Sequence, residues 1–122
     1  MSASRRLAIV AEDEPVIRME AVAILDSLGF EVLEADCAHI ALGHLNCGKK
    51  IHLLYTDIRM PGGMSGVDLA HAVASRWPET AIIVCSGCMP EAAEDLPEDA
   101  HFISKPCAEK LVRKALTALQ LH

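Results

Sequence analysis

Four short apolar runs in this chain each stop at a residue suited to phosphate or metal chemistry. Residues 7–11 stop at Glu12-Asp13-Glu14, and residues 51–56 at Asp57. Residues 81–85 stop at Ser86-Gly87, and residues 101–104 at Lys105-Pro106. The first run is apolar without alternation, the pattern of a strand covered on both faces. In a parallel sheet the C-terminal ends of the strands share one edge, where ligands bind at a topological switch point. Asp13, Asp57, Ser86 and Lys105, far apart in sequence, would converge on that edge.

Helical segments separate the runs. Pro15 stands where a first helical turn tolerates proline, with Asp13 or Glu14 as cap. Val16, Met19, Val22, Ala23 and Leu28 follow at helical spacing, and Gly29 closes the helix in a left-handed conformation. Residues 31–34 read as a short, less apolar strand near a sheet edge, and 38–45 as a second helix. A loop over 61–66 leads to a third helix over 67–76, stopped by Trp77-Pro78. The stretch 88–100 contains Pro90 and Pro97 and has room for only a short helix. Residues 109–121 form the last helix, with Leu111, Val112, Ala115, Leu116 and Leu119 on one face. Five strand–helix units predict an α/β fold: a doubly wound, five-stranded parallel sheet with helices on both faces.

With 122 residues, and no repeat or linker, the expectation is one domain over residues 1–122. Net charge is −6 and no Lys/Arg run occurs, which argues against nucleic-acid binding through a basic face. The apolar runs fall well short of the roughly 20 residues of a membrane span. Residues 7–11 are also too few for a secretory signal, so a cytoplasmic location is expected. Five cysteines at irregular spacing do not suggest a secreted disulfide framework. Cys85 and Cys88 match C-x-x-C, but a redox pair belongs at a helix start. Here the first cysteine falls inside a buried strand, where a small hydrophobe is the ordinary reading.

The acidic edge has its own chemistry. Crowded carboxylates repel unless a cation offsets them, and Mg²⁺ takes oxygen ligands. Asp13 and Asp57 are candidate direct ligands, Glu12 the holder of a coordinating water, and the Arg59 backbone carbonyl a further oxygen. Taken alone, Glu12 to Glu14 would be an ordinary acidic helix start. A carboxylate can also act as a covalent nucleophile and form an aspartyl phosphate. The transferring group then needs its charge neutralised, which Lys105 and the Ser86 hydroxyl can help to do. Each of these residues alone has a bland explanation; their recurrence at successive strand ends does not.

On these residues the chain resembles the receiver domain of two-component response regulators, from about residue 7 to 119. The resemblance rests on Glu12-Asp13, on Asp57 within Thr-Asp-Ile-Arg-Met-Pro-Gly, on Ser86-Gly87, and on Phe102-Ile-Ser-Lys105-Pro106. It implies the flavodoxin-like strand order 2-1-3-4-5. It implies that Asp57 accepts a phosphoryl group from a histidine kinase or histidine phosphotransfer protein. Mg²⁺ is then required, with Mn²⁺ as a substitute, and autophosphatase activity is weak. It also implies a switch, in which the Ser86 hydroxyl is drawn to the phosphoryl group and Phe102 rotates inward. The face around the fifth strand then changes shape for an unknown downstream protein. A cis peptide bond before Pro106 is implied as well.

Some features depart from the family pattern. Residues 86–105 are short, and the loop of Gly62, Gly63, Met64, Ser65 and Gly66 is long, resembling loops of receivers attached to or partnered with hybrid sensor kinases. Arg59 and Cys88 stand where relatives tune acyl-phosphate lifetime, and Arg59 is expected to shield the phosphoryl group from water. The start at Met1 and the end at His122 suggest a stand-alone receiver, the alternative being a receiver excised from a hybrid sensor kinase. A pseudo-receiver would normally lack an acid, the nucleophile or the lysine, and all are present. A haloacid-dehalogenase-type phosphohydrolase would carry a second Asp two residues after its nucleophile, where this chain has Arg59.

Overall fold

The computed structural model describes residues 6–86, 96–97, 99–104 and 109–118. Strand β1 (Arg6–Ala11) leads into helix α1 (Pro15–Ser27), then β2 (Phe30–Ala35) and α2 (Ala38–Leu45). Next come β3 (Leu53–Thr56), α3 (Gly66–Arg76), β4 (Ala81–Ser86), β5 (His101–Ser104) and α4 (Glu109–Ala118). The strands form one sheet in the order β2-β1-β3-β4-β5, and every pairing is parallel. This is the doubly wound α/β topology that the strand–helix alternation and the resemblance predict.

Alternate residues of each strand feed two apolar layers. One contains Ile9, Leu54, Ile82 and Val84, packed with Ala41 of α2 and Leu69, Ala70 and Val73 of α3. The other contains Val10, Leu53, Tyr55, Ile83 and Cys85, packed with Leu25 of α1 and Val112, Ala115 and Leu116 of α4. Leu53 and Leu54 are both fully buried, one in each layer. Each is worth about 2 kcal/mol of burial. A one-residue slip of β3 would turn every side chain to the opposite layer, so the register of its last residues is strongly held.

That register levels the strand ends. Ala11 lies opposite both Ala35 and Thr56, and Thr56 opposite Val84. Glu12 and Asp57 therefore leave the sheet side by side.

Several expectations are corrected. β3 begins at Leu53 rather than 51, although the chain before it is tied to both neighbours. The His52 N–H donates to the Leu7 carbonyl, and the Ala81 N–H to the His52 carbonyl. Val16 and Met19 are 69% and 66% exposed, so they are not part of the inward stripe of α1. That stripe is Ala21 and Leu25, with Val22, Ile24 and Leu28 partly buried behind them. At about 3.6 residues per turn, Val16 and Met19 fall on the side of α1 that faces away from Ala21 and Leu25. On α4 Leu111 is likewise 42% exposed, while Val112, Ala115 and Leu116 are buried. Cys85 is buried as expected, yet it is disulfide-bonded. Gly29 adopts φ +100°, as its role behind α1 predicts. The short helix expected within 88–100 lies mostly outside the described residues.

Candidate functional site

Backbone hydrogen bonds place the acidic residues. The Asp57 N–H donates to the Ala11 carbonyl at 3.0 Å, and the Glu12 N–H to the Ala35 carbonyl at 2.9 Å. Both residues thus extend the sheet's ladder by one rung and inherit its rigidity. The buried Thr56 hydroxyl donates to the Asp57 carbonyl at 2.8 Å. The Ile58 N–H donates to Asp57 Oδ1 at 2.7 Å, which orients the carboxylate. Across the pocket the Glu14 N–H donates to Glu12 Oε2 at 3.1 Å, folding the Glu12 side chain back over the loop that precedes α1.

Carboxylate oxygens of Glu12, Asp13 and Asp57 lie within 4.8 Å of one another. Glu12 is only 3% exposed and Asp57 8%, whereas Asp13 is exposed. Beneath them Tyr55 is buried on β3 in line with Asp57. Burial chiefly, with the negative charges of Glu12 and then Asp57, pushes its phenol well above the usual tyrosine range. The field at this edge is therefore negative. Three converging carboxylates, two of them largely out of water, form an all-oxygen donor set that fits a hard divalent cation.

The loop beyond Asp57 is held at both ends. Ser65 caps α3, its hydroxyl accepting from the Asp68 N–H at 3.1 Å while Asp68 accepts from the Ser65 N–H at 3.2 Å. This reciprocal box satisfies two donors of the helix start. The Gly66 N–H donates to the Ile58 carbonyl at 2.6 Å. A Cβ on Gly66 would fall onto the Asp57 carbonyl oxygen. The ring of His39 on α2 reaches the Gly62 carbonyl at 3.2 Å.

The other expected site residues distribute unevenly. Arg59 is exposed, two residues beyond Asp57. Ser86 ends β4 opposite Ser104 of β5, two positions past the level of Thr56. Phe102 is half-buried against the layer that holds α2 and α3. It also lines a groove with His101, Leu111 and Lys114. Lys105, Pro106 and Cys88 lie outside the described residues. Among residues that sequence patterning passed over, Arg18 stands out. Its Nη1 donates to the Glu12 carbonyl at 2.8 Å and its Nε to Glu34 Oε1 at 3.0 Å. A charged residue on a surface helix carries no signal of such partners.

The family model for the response regulator receiver domain matches residues 8–117. Sensor kinase CckA of Brucella abortus is 31% identical over 93% of this chain, which spans 12% of that protein. The uncharacterized transcriptional regulatory protein YesN of Bacillus subtilis is 31% identical over 88% of the chain, which spans 30% of its length. The chain is thus much shorter than these curated relatives. Among solved structures, a response regulator receiver protein from Sinorhizobium medicae superposes with a TM-score of 0.88. It covers 97% of this chain and 96% of its own length, at 24% identity. A receiver protein from Pseudomonas putida gives a TM-score of 0.81 at 30% identity, covering 96% and 99%.

Proposed function

The chain belongs to the response regulator receiver family, and from that membership we propose that it accepts a phosphoryl group on Asp57 from a phosphohistidine donor. The observation that carries this reading is the placement of Asp57. Asp57 is 8% exposed, and its carboxylate is oriented by the Ile58 N–H and shares a pocket with those of Glu12 and Asp13 at the sheet's C-terminal edge. In the step proposed, an Asp57 carboxylate oxygen attacks phosphorus while the bond from phosphorus to the donor imidazole nitrogen breaks. The imidazole leaves with that electron pair and takes a proton. In-line positioning and charge neutralisation supply most of such catalysis.

Asp13 and Asp57 would hold Mg²⁺ or Mn²⁺ directly, with the Arg59 carbonyl as a further oxygen and Glu12 acting through a water. When bound, the cation would offset the charge of the phosphoryl oxygens. Lys105 and the Ser86 hydroxyl are proposed to pair with the remaining oxygens, and Phe102 to carry the change to the groove beside β5. The exposed Val16 and Met19 stand on the first two turns of α1, which follows the acidic loop. They offer an apolar contact for a donor protein docking over the pocket. Arg59 is proposed to screen the phosphoryl group from water, and an unchanged dephosphorylation rate in Arg59→Ala would reject that role. We assign this chemistry to the cytoplasm. No helix of the described residues is long and apolar enough to cross a membrane.

The match to a sensor kinase favours a second arrangement, in which this receiver works attached to a kinase rather than alone. Asp57 plays the same part in both. Incubation with Mg²⁺ and acetyl phosphate tests the reading. One phosphoryl group, stable to acid and labile to base, should appear on the wild-type protein and not on Asp57→Asn. Absence of labelling with every donor would indicate a binding-only receiver, and turnover of many phosphomonoesters would indicate a phosphatase.

A further inference from the structure

Arg18 joins three elements around the acidic pocket. From the first turns of α1 it reaches the Glu12 carbonyl at 2.8 Å and Glu34 near the end of β2 at 3.0 Å. Its own N–H donates to the Glu14 carbonyl at 2.8 Å. The Arg18 side chain is 20% exposed and that of Glu34 53% exposed. An ion pair this open contributes little by itself. The bond to Glu12 is different, because it is partly buried and grips the peptide unit that joins Glu12 to Asp13. The Glu12 N–H is already held by the Ala35 carbonyl. Arg18 therefore fixes the other side of the same residue, beyond the last rung between β1 and β2. A planar guanidinium suits this task, since its donors lie in a rigid fork that can hold two acceptors at once.

We propose that Arg18 is a positioning residue of the acidic pocket, holding the Glu12–Asp13 backbone so that the carboxylates converge on a divalent cation. The proposal rests on the reading of the pocket as a Mg²⁺ site. Its electrostatics and its geometry pull in opposite directions, which makes the sign of the effect informative. As a charge, Arg18 repels an incoming cation, so removing it should tighten binding. As a clamp, it orders the ligand loop, so removing it should weaken binding. Partners that orient metal ligands typically alter affinity by 10- to 100-fold when lost.

Titration of Mn²⁺ followed by electron paramagnetic resonance, and of Mg²⁺ by calorimetry, reads this directly without phosphorylation. Arg18→Met is expected to bind about tenfold more weakly than wild type, although its pocket is one charge more negative. Arg18→Lys keeps the charge but not the fork and should fall between the two. Binding by Arg18→Met as tight as wild type, or tighter, overturns the proposal. If Arg18→Met does not fold, Arg18→Lys decides: a weakened site supports positioning and an unchanged one rejects it. A wild-type protein that binds neither ion removes the metal reading itself, and the proposal with it, which distinguishes that failure from failure of the clamp alone.

Discussion

Gly66→Ala sets two physical arguments against each other beside Asp57, the proposed phosphoacceptor. Gly66 opens α3, and alanine is the better helix former by about 1 kcal/mol. No left-handed conformation is required here, since the positive-φ glycines are Gly29, Gly48, Gly62 and Gly63. Propensity alone therefore predicts stabilisation. The packing predicts the reverse. An alanine Cβ would land on the Asp57 carbonyl oxygen, 2.7 Å from the Asp57 carbonyl carbon and 2.8 Å from Ile58 Cα. All three are backbone atoms, and Asp57 is tied through its N–H to Ala11, so the strand side cannot give way.

The start of α3 must retreat instead, by on the order of 1 Å in an interior packed this closely. That retreat stretches the 2.6 Å bond from the Gly66 N–H to the Ile58 carbonyl, a loss of about 1 kcal/mol. It also lifts Leu69, Ala70 and Val73, all fully buried, and forced repacking of this kind costs about 1–3 kcal/mol. Set against the propensity gain, the net loss is about 1–3 kcal/mol. With a urea m-value of about 2 kcal/mol/M, the unfolding midpoint drops by roughly 1 M. Circular dichroism through a urea series measures it. Gly63→Ala is the control, with φ +84° but no atom within 4 Å of the new Cβ. Its backbone strain costs about 1–2 kcal/mol and should leave acetyl-phosphate labelling unaltered, whereas Gly66→Ala should slow it. A Gly66→Ala midpoint at or above that of wild type would refute the close-approach argument.

Two further outcomes follow from the same geometry. The Leu7 N–H donates to His52 Nδ1 at 3.2 Å, a bond that requires an unprotonated nitrogen. Burial chiefly, then the charges of Lys50 and Arg6, lowers the His52 pKa. The unfolded chain therefore takes up the proton first as pH falls. His52 contributes stability that is present above the ordinary histidine value of about 6.5 and lost as pH drops toward the lowered folded value. Melting temperatures at about pH 7.5 and about pH 5.5 should differ more for wild type than for His52→Gln, and equal differences would sink the linkage. Separately, Ser65→Ala removes one half of the box that starts α3. It should cost about 1 kcal/mol in the same urea assay.

Periodicity and strand-end chemistry were enough to anticipate the sheet, the position of Asp57 at its edge, and the acids beside it. Parallel strands leave so little freedom that once the apolar runs are recognised, their polar termini must meet. Faces and ends were harder to read. Val16 and Met19 recur at a helix-like interval, but at about 3.6 residues per turn they fall on the side of α1 away from Ala21 and Leu25, which leaves them exposed. Arg18 was illegible for a related reason. Its partners are a backbone carbonyl at residue 12 and a carboxylate at residue 34. Neither contact leaves a trace in the pattern of residue types, because any surface helix carries arginines.

The glycines of the loop after Asp57 show where composition stops being informative. Gly62, Gly63 and Gly66 look alike in sequence, one flexible connection between a strand and a helix. Their physical causes differ. Gly62 and Gly63 adopt φ +97° and +84°, conformations that an L side chain resists. Gly66 has ordinary helical geometry and is a glycine because the Asp57 carbonyl occupies the space of its Cβ. The first two shape the loop, and asparagine is the side chain best able to take their place there. The third sets how closely α3 approaches the residue proposed to carry the phosphoryl group, and every side chain has the Cβ that this approach excludes. The loop after Asp57 can therefore vary in length, provided that its last glycine returns the chain to the same contact.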